Sequence, residues 1–170
     1  MVIDIHTHTF PDKLAAPTIR KLQGACHTRA FTDATNAGLA ASMARAGIDC
    51  SVVLPVATNP HQVAHVNESA AQINARGRGT GIYSFGCIHP DCPDPRGELA
   101  RIAALGLKGI KLHPAYQATR FDDIRYLRIL DRAGELGSWS SPTPASTSAS
   151  PPPPTATRRW CSAPWNRWAR

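Results

Sequence analysis

Short apolar runs alternate with longer amphipathic segments through the first 137 residues, and this pattern predicts four consecutive βα units. The predicted strands cover residues 2–8, 50–54, 82–88 and 109–113. Helices are predicted between residues 12 and 46 and over residues 61–75, 98–105 and 123–136. Because no hairpin signal separates the strands, the pattern predicts a parallel sheet whose strands are covered on both faces.

The pattern stops at Gly137. Residues 138–170 contain no Val, Ile, Leu, Met, Phe or Tyr, but they hold all four tryptophans and seven of the fifteen prolines. Four arginines without any acid give this segment +4 of the chain's net charge of +7. Without aliphatic side chains the segment cannot extend a conventional core, so we predict a domain over residues 1–137 and an irregular, disordered tail over residues 138–170.

The tail begins where a fifth strand is expected, after the helix that ends near Leu136. If its serines use TCN codons, reading the same bases in the next frame from Gly137 gives a run of four apolar residues, then a small and a polar one. We therefore expect residues 138–170 to be out-of-frame sequence and the domain to be truncated. An ordinary evolved tail is the alternative.

Composition narrows the class of protein. No apolar run approaches the roughly 18 residues that span a bilayer, and the N-terminus lacks the basic flank and apolar segment of a signal peptide. We expect a soluble cytoplasmic protein with no membrane partner. The net charge is concentrated in the tail rather than on a folded surface with aromatic side chains, so nucleic acid is not an expected partner.

Ionisable side chains share one face of the first predicted strand. The period-2 pattern places Asp4, His6 and His8 on one face and apolar residues on the other. A parallel sheet would bury this face, and two imidazoles at positions i and i+2 can reach one cation. The pattern therefore favours a metal site, with a solvated edge strand as the alternative.

The ends of the third and fourth strands carry similar residues. Lys111 and His113 share a face of the fourth strand, and His89 ends the third strand just before a proline. Loop-borne chemistry collects at such strand ends in α/β folds. The alternatives are that Lys111 pairs with an acid and that His113 only caps its strand.

Four blocks in order carry a resemblance: I-D-I-H-T-H-T-F-P at 3–11, G-I-D-C-S-V-V-L-P at 47–55, S-F-G-C-I-H-P-D at 84–91 and G-L-K-G-I-K-L-H-P at 106–114. They resemble the amidohydrolase-related family of metal-dependent hydrolases over residues 1–137. The resemblance implies the first four units of a (β/α)8 TIM-type barrel with a divalent metal, expected to be zinc, at its C-terminal mouth.

The same resemblance implies roles for individual residues. His6 and His8 match the metal ligands of the first strand, while Lys111 and His113 are expected to be catalytic. Asp4 is expected to orient a histidine ligand and His89 to line the site. Such a site would hydrolyse C–N or C–O bonds of a small-molecule substrate through a metal-activated water, or decarboxylate a related substrate.

The chain departs from the family pattern, because the fifth- and sixth-strand histidines and the eighth-strand aspartate are missing. We therefore expect impaired activity and self-association through the open barrel edge. One alternative is a phosphoesterase of the polymerase-and-histidinol-phosphatase type, although the S-D-G expected after His8 is replaced by Phe10-Pro11-Asp12. Another is a non-enzymatic interaction protein that uses the tail as a ligand.

Overall fold

The computed structural model describes residues 1–142, in which parallel strands alternate with α-helices, and this confirms the α/β class. The strands in this range are β1 Ile3–Thr7, β2 Cys50–Val53, β3 Ile82–Ser84, β4 Gly86–Cys87, β5 Gly109–Leu112 and β6 Trp139–Pro142. The helices are α1 Asp12–Cys26, α2 Asn36–Ala46, α3 Val63–Thr80, α4 Pro95–Ala104 and α5 Ile124–Glu135, and a 3-10 turn covers Pro60–Gln62.

The strands form two three-stranded parallel sheets, ordered β1-β2-β3 and β4-β5-β6. Only Phe85 separates β3 from β4, so these are two pieces of the predicted third strand. The Phe85 N–H donates to the Val53 carbonyl at 3.0 Å, and after this residue the chain leaves β2 and pairs with β5. Strand positions therefore follow chain order across both sheets, as in the first part of a TIM-type barrel.

Two asparagines of α3 bind the backbone of the third strand where it changes partners. Asn74 donates to the Ser84 carbonyl at 3.1 Å and accepts from the Ser84 N–H at 2.6 Å. Asn67 makes the same pair of bonds to Cys87, at 3.0 and 2.8 Å. Residues seven apart lie on one face of a helix, so both amides reach the strand and satisfy backbone groups that would otherwise be buried without partners.

The main hydrophobic core lies between the second sheet and the helices α3, α4 and α5. Its largest members come from β5, the end of the third strand, the helices and the turn before β5. These fully buried residues are Ile88, Leu99, Ile102, Leu107, Ile110, Leu112, Tyr126 and Ile129. A smaller cluster of Met43, Val53 and Ile82 packs α2 against the first sheet. All four residues of β5 are buried, as expected for an internal strand of a parallel sheet.

Helix α3 extends five residues beyond the predicted end at residue 75, to Thr80. The helix passes through Gly77, and a glycine is required there because a Cβ would come within 2.5 Å of the Tyr83 ring. The helix ends at Gly81, whose φ of +70° suits a glycine. No helix in residues 1–142 is both long and apolar enough to cross a bilayer.

Regular structure continues beyond Gly137, where the sequence predicts the tail to begin, and reaches Pro142. Trp139–Pro142 forms β6, which pairs in parallel with β5 in the register Gly109↔Trp139 to Leu112↔Pro142. Backbone groups make these bonds, so polar side chains do not prevent a strand from forming. The rest of the predicted tail, residues 143–170, lies outside the described residues.

Candidate active site

The end of β1 brings His6 and His8 together, as the period-2 pattern predicts. Their ring centroids are 5.1 Å apart and the rings meet edge to face at 70°. The Asp4 carboxylate accepts from the His6 backbone N–H at 3.1 Å. This bond fixes the main chain rather than an imidazole, so the structure does not show the orienting bond to a ring that was expected of Asp4.

A backbone contact determines the protonation pattern of the His8 ring. The Nδ1 atom of His8 lies 2.9 Å from the Leu54 carbonyl oxygen. Because a carbonyl oxygen can only accept, Nδ1 must carry the proton, and the neutral ring keeps its lone pair on Nε2. Partial desolvation by the surrounding protein atoms, and then the neighbouring His6, lower the pKa of His8 although the ring is partly exposed, so the ring is neutral at pH 7. A neutral imidazole with a free Nε2 is the form that binds a metal.

The face that carries these histidines is not buried, contrary to the expectation from a parallel sheet. His6 and His8 are both exposed, and on β1 Ile3 and Ile5 are 47% and 72% exposed. The cause is that β1 pairs only with β2 among the described strands and therefore forms an edge. Among the described residues, β1 is therefore an edge strand with exposed side chains.

The end of β5 adds two further basic groups to the site. Lys111 is fully buried, and burial lowers its pKa to about 8. The positive charge of Lys111 in turn lowers the pKa values of His6, His8 and His113, although desolvation by the surrounding protein atoms is the larger cause for each. The structure therefore gathers Lys111 and three of the predicted histidines, from two different sheets, within electrostatic reach of one another.

His113 has the opposite tautomer to His8. Its Nδ1 atom accepts the Tyr116 backbone N–H at 3.3 Å, and its ring stacks on that of Tyr116 at 4.0 Å. A backbone N–H can only donate, so the proton of the neutral imidazole is on Nε2. His113 thus has a donor where His8 has a lone pair, which suits binding of a substrate oxygen rather than of a metal.

His89 belongs to a different local group. Its Nδ1 atom accepts the Asp91 backbone N–H at 3.1 Å and lies 3.9 Å from the Asp91 carboxylate. Burial lowers the pKa of His89, and the charges that act on it are those of Asp91 and Arg125. The structure thus places His89 at a strand end, as predicted, but not among the groups that couple to Lys111.

Sequence reasoning missed Gln117, which binds the backbone at three strand ends. Its Nε2 group donates to the carbonyls of Ala57 and Ile88 at 2.9 and 2.8 Å. Its Oε1 atom accepts from the His113 backbone N–H at 3.1 Å and from the Tyr126 hydroxyl. All the hydrogen-bonding positions of the amide are filled. Gln117 therefore fixes the segment that carries His113, and no sequence pattern marks a polar residue of this kind.

The metal-ligand set is partial. In residues 1–142 no group of three or more His, Cys, Asp or Glu side chains is arranged to hold a metal ion. His6 and His8 supply neutral imidazoles, and the Nε2 lone pair of His8 fits a divalent ion such as zinc. A catalytic zinc site normally has three protein ligands. The described residues therefore supply two of the three ligands that such a site needs, His6 and His8.

No family model matches the chain, and no curated protein sequence matches it. Among solved structures, 5-carboxyvanillate decarboxylase from Novosphingobium aromaticivorans, with bound manganese and 4-hydroxy-3-methoxy-5-nitrobenzoic acid, is similar at a TM-score of 0.66. The two are 16% identical over 88% of this chain and 51% of that chain.

Two further structures are similar. A probable 2-pyrone-4,6-dicarboxylic acid hydrolase from Acinetobacter baumannii, with citric acid bound, has a TM-score of 0.53 and 14% identity over 83% of this chain and 48% of that one. The apo IDCase of Metarhizium anisopliae has a TM-score of 0.56 and 17% identity over 84% and 50%.

The chain spans about half the length of the solved structures that it matches. At these identities the similarity establishes the fold and not the activity. The resemblance to amidohydrolase-type enzymes, inferred from four sequence blocks, is thereby confirmed at the level of the fold.

Proposed function

We propose that residues 1–142 carry the N-terminal half of the active site of a metal-dependent enzyme of the amidohydrolase type. Its reaction would be hydrolysis of a C–N or C–O bond, or decarboxylation of a related small-molecule substrate. The observation that carries the proposal is the gathering of His6, His8, Lys111 and His113 at the C-terminal ends of parallel strands. The similar structures, two of them decarboxylases or hydrolases by name, favour this reading over a phosphoesterase.

His6 and His8 are the residues that would hold the metal, and we propose zinc because imidazole ligands suit it. A divalent ion there would act as a Lewis acid and lower the pKa of a water molecule to about 7. The Leu54 carbonyl keeps the Nε2 lone pair of His8 available for such an ion.

Lys111 and His113 would bind and stabilise the reacting part of the substrate. The Nε2–H of His113 is a donor that suits a carboxylate or a carbonyl oxygen that gains negative charge, and the buried Lys111 ammonium would stabilise that charge through its own positive charge. Because burial lowers the pKa of Lys111 to about 8, its amine is also near the pH range in which it could exchange a proton. Tyr116 and Gln117 hold His113 in place.

The activity of this chain is proposed to be low, because the described residues lack a third metal ligand. The strand β6 supports the related proposal that the sequence after Gly137 is out of frame. Its sequence, W-S-S-P, pairs along the whole of the buried strand β5, at a position where parallel sheets normally have apolar residues.

Metal titration of the full chain tests the proposal. After dialysis against a chelator, calorimetric titration with Zn²⁺ and with Mn²⁺ should show weak binding that His8→Ala reduces by about tenfold or more. His65→Ala is the matched control, because His65 is an exposed histidine of α3 that takes part in none of the site contacts described above. Binding that survives His8→Ala and falls with His65→Ala would contradict the proposed site.

A further inference from the structure

Two neighbouring strand ends of the second sheet are built alike. The third strand and β5 are parallel neighbours, and a histidine and then a proline follow shortly after each. After each histidine the chain turns, and an N–H donates back to its carbonyl at 3.0 Å, from Cys92 to His89 and from Gln117 to His113. The Gln117 side-chain amide also bonds to the Ile88 carbonyl and the His113 N–H, at 2.8 and 3.1 Å. The two strand ends are therefore held side by side.

The imidazoles at these two strand ends have the same tautomer. His89 and His113 are only 5% and 6% exposed, and Nδ1 of each accepts a backbone N–H from the turn that follows, at Asp91 and at Tyr116. The proton of the neutral His89 ring is therefore on Nε2, as in His113. In residues 1–142 neither Nε2–H has a hydrogen-bond partner. A nearly buried donor without a protein partner costs free energy, and a ligand oxygen would satisfy it.

The charges around the two rings have opposite signs. Among the charges that act on His89, that of the Asp91 carboxylate is the largest, ahead of that of Arg125. Arg125 pairs with both Asp91 and Asp123, so two carboxylates surround one guanidinium. The charge that acts most on His113 comes instead from the lysine of β5. An anionic oxygen is thus favoured at His113 and disfavoured at His89, where an uncharged oxygen fits.

We propose that His89 is a second substrate-binding residue, which donates from Nε2 to an uncharged oxygen of the substrate. A carbonyl, hydroxyl or ether oxygen would meet this requirement. The inference rests on the proposed function, because the group that reacts would bind at Lys111 and His113 in the same mouth. The substrate would therefore carry two oxygen functions, one that bears or gains negative charge near Lys111 and one that stays neutral at His89.

Nitrogen-15 NMR of the histidine side chains tests the proposal with two probes, acetone and acetate, which are close in shape and differ in charge. The full chain is titrated with each probe at pH 7 and constant ionic strength. We expect acetone to shift Nε2 of His89 saturably and to bind there about threefold more tightly than acetate. At His113 the order should be reversed. Each ring is assigned through its own backbone resonances, so the measurement needs no histidine variant.

Asp91→Asn tests the electrostatic cause. The substitution removes the carboxylate beside His89 and keeps the backbone N–H that fixes its tautomer. Acetate should then bind at His89 about threefold more tightly than in the wild type. Asp131→Asn is the matched control, because Asp131 is an exposed acid of α5 that takes part in none of these contacts, and its loss changes the net charge equally. This variant should leave acetate binding at His89 unchanged.

Several results would overturn the role given to His89. They are an Nδ1–H tautomer of its ring, tighter binding of acetate than of acetone, no saturable shift with either probe, or equal effects of Asp91→Asn and Asp131→Asn. The metal titration reports on the proposed function separately. A chain that binds no zinc and still shows the acetone shift would contradict the proposed function and support the donor role of His89.

Discussion

His8 and His113 use the same ring nitrogen in opposite ways: Nδ1 of His8 donates to the Leu54 carbonyl, and Nδ1 of His113 accepts the Tyr116 N–H. Both contacts are to backbone atoms, whose hydrogen-bonding roles are fixed. Two imidazoles in one cluster therefore differ in what Nε2 offers, a lone pair in His8 and a proton in His113. This difference separates a metal ligand from a substrate-binding donor.

Nitrogen-15 NMR of the histidine side chains should detect this difference at pH 7 without metal. We expect the Nδ1–H tautomer for His8 and the Nε2–H tautomer for His113, with each signal assigned by its loss in the His→Ala variant. Added Zn²⁺ should shift Nε2 of His8 and leave the His113 tautomer unchanged. The same tautomer in both rings would refute the assignment.

The charge of Lys111 should make stability depend on pH. Burial lowers the pKa of Lys111 from 10.5 to about 8, so between these values the unfolded chain binds more protons than the folded one. The destabilisation is complete below about pH 8 and disappears as the pH rises towards 10.5. Lys111→Met should therefore raise the free energy of unfolding at pH 7 by about 1–3 kcal/mol.

Urea unfolding of wild type and Lys111→Met at several pH values measures this effect. The difference between the two proteins is the useful quantity, because the Cys87 thiol also titrates. Burial raises its pKa to about 12, which lowers stability above about pH 9 in both proteins. If the difference in the free energy of unfolding does not shrink between pH 8 and pH 10, the charge of Lys111 does not destabilise the fold.

Gln117→Ala should destabilise the protein by about 2–4 kcal/mol, because it leaves two buried carbonyls and the His113 N–H without a partner. Gln62→Ala is the control: Gln62 is exposed and accepts from the N–H and hydroxyl of Thr58. Its cost should stay within about 1 kcal/mol. Thermal melts followed by circular dichroism compare the two variants, and equal losses would refute the role given to Gln117.

Local pattern was sufficient to predict the strands and the pairing of His6 with His8, because alternation along one strand determines which side chains share a face. The exposure of β1 was not predictable in this way, since it depends on whether another strand lies beside Ile3 and Ile5. Gln117 was also missed, because its backbone partners follow three different strands that only the folded chain brings together.

The way in which α3 holds the third strand has a consequence for folding order. Asn74 reaches Ser84 across ten residues of chain and Asn67 reaches Cys87 across twenty, so both contacts close short loops and form at low entropic cost. We expect α3 and the third strand to form first as one unit. The Phe85–Val53 bond then joins this unit to β2 in the first sheet, and the pairing of β4 with β5 joins it to the second sheet. The third strand contributes to both sheets, and α3 holds it at Ser84 and at Cys87, so freeing this strand from the helix should disturb both halves of the fold together.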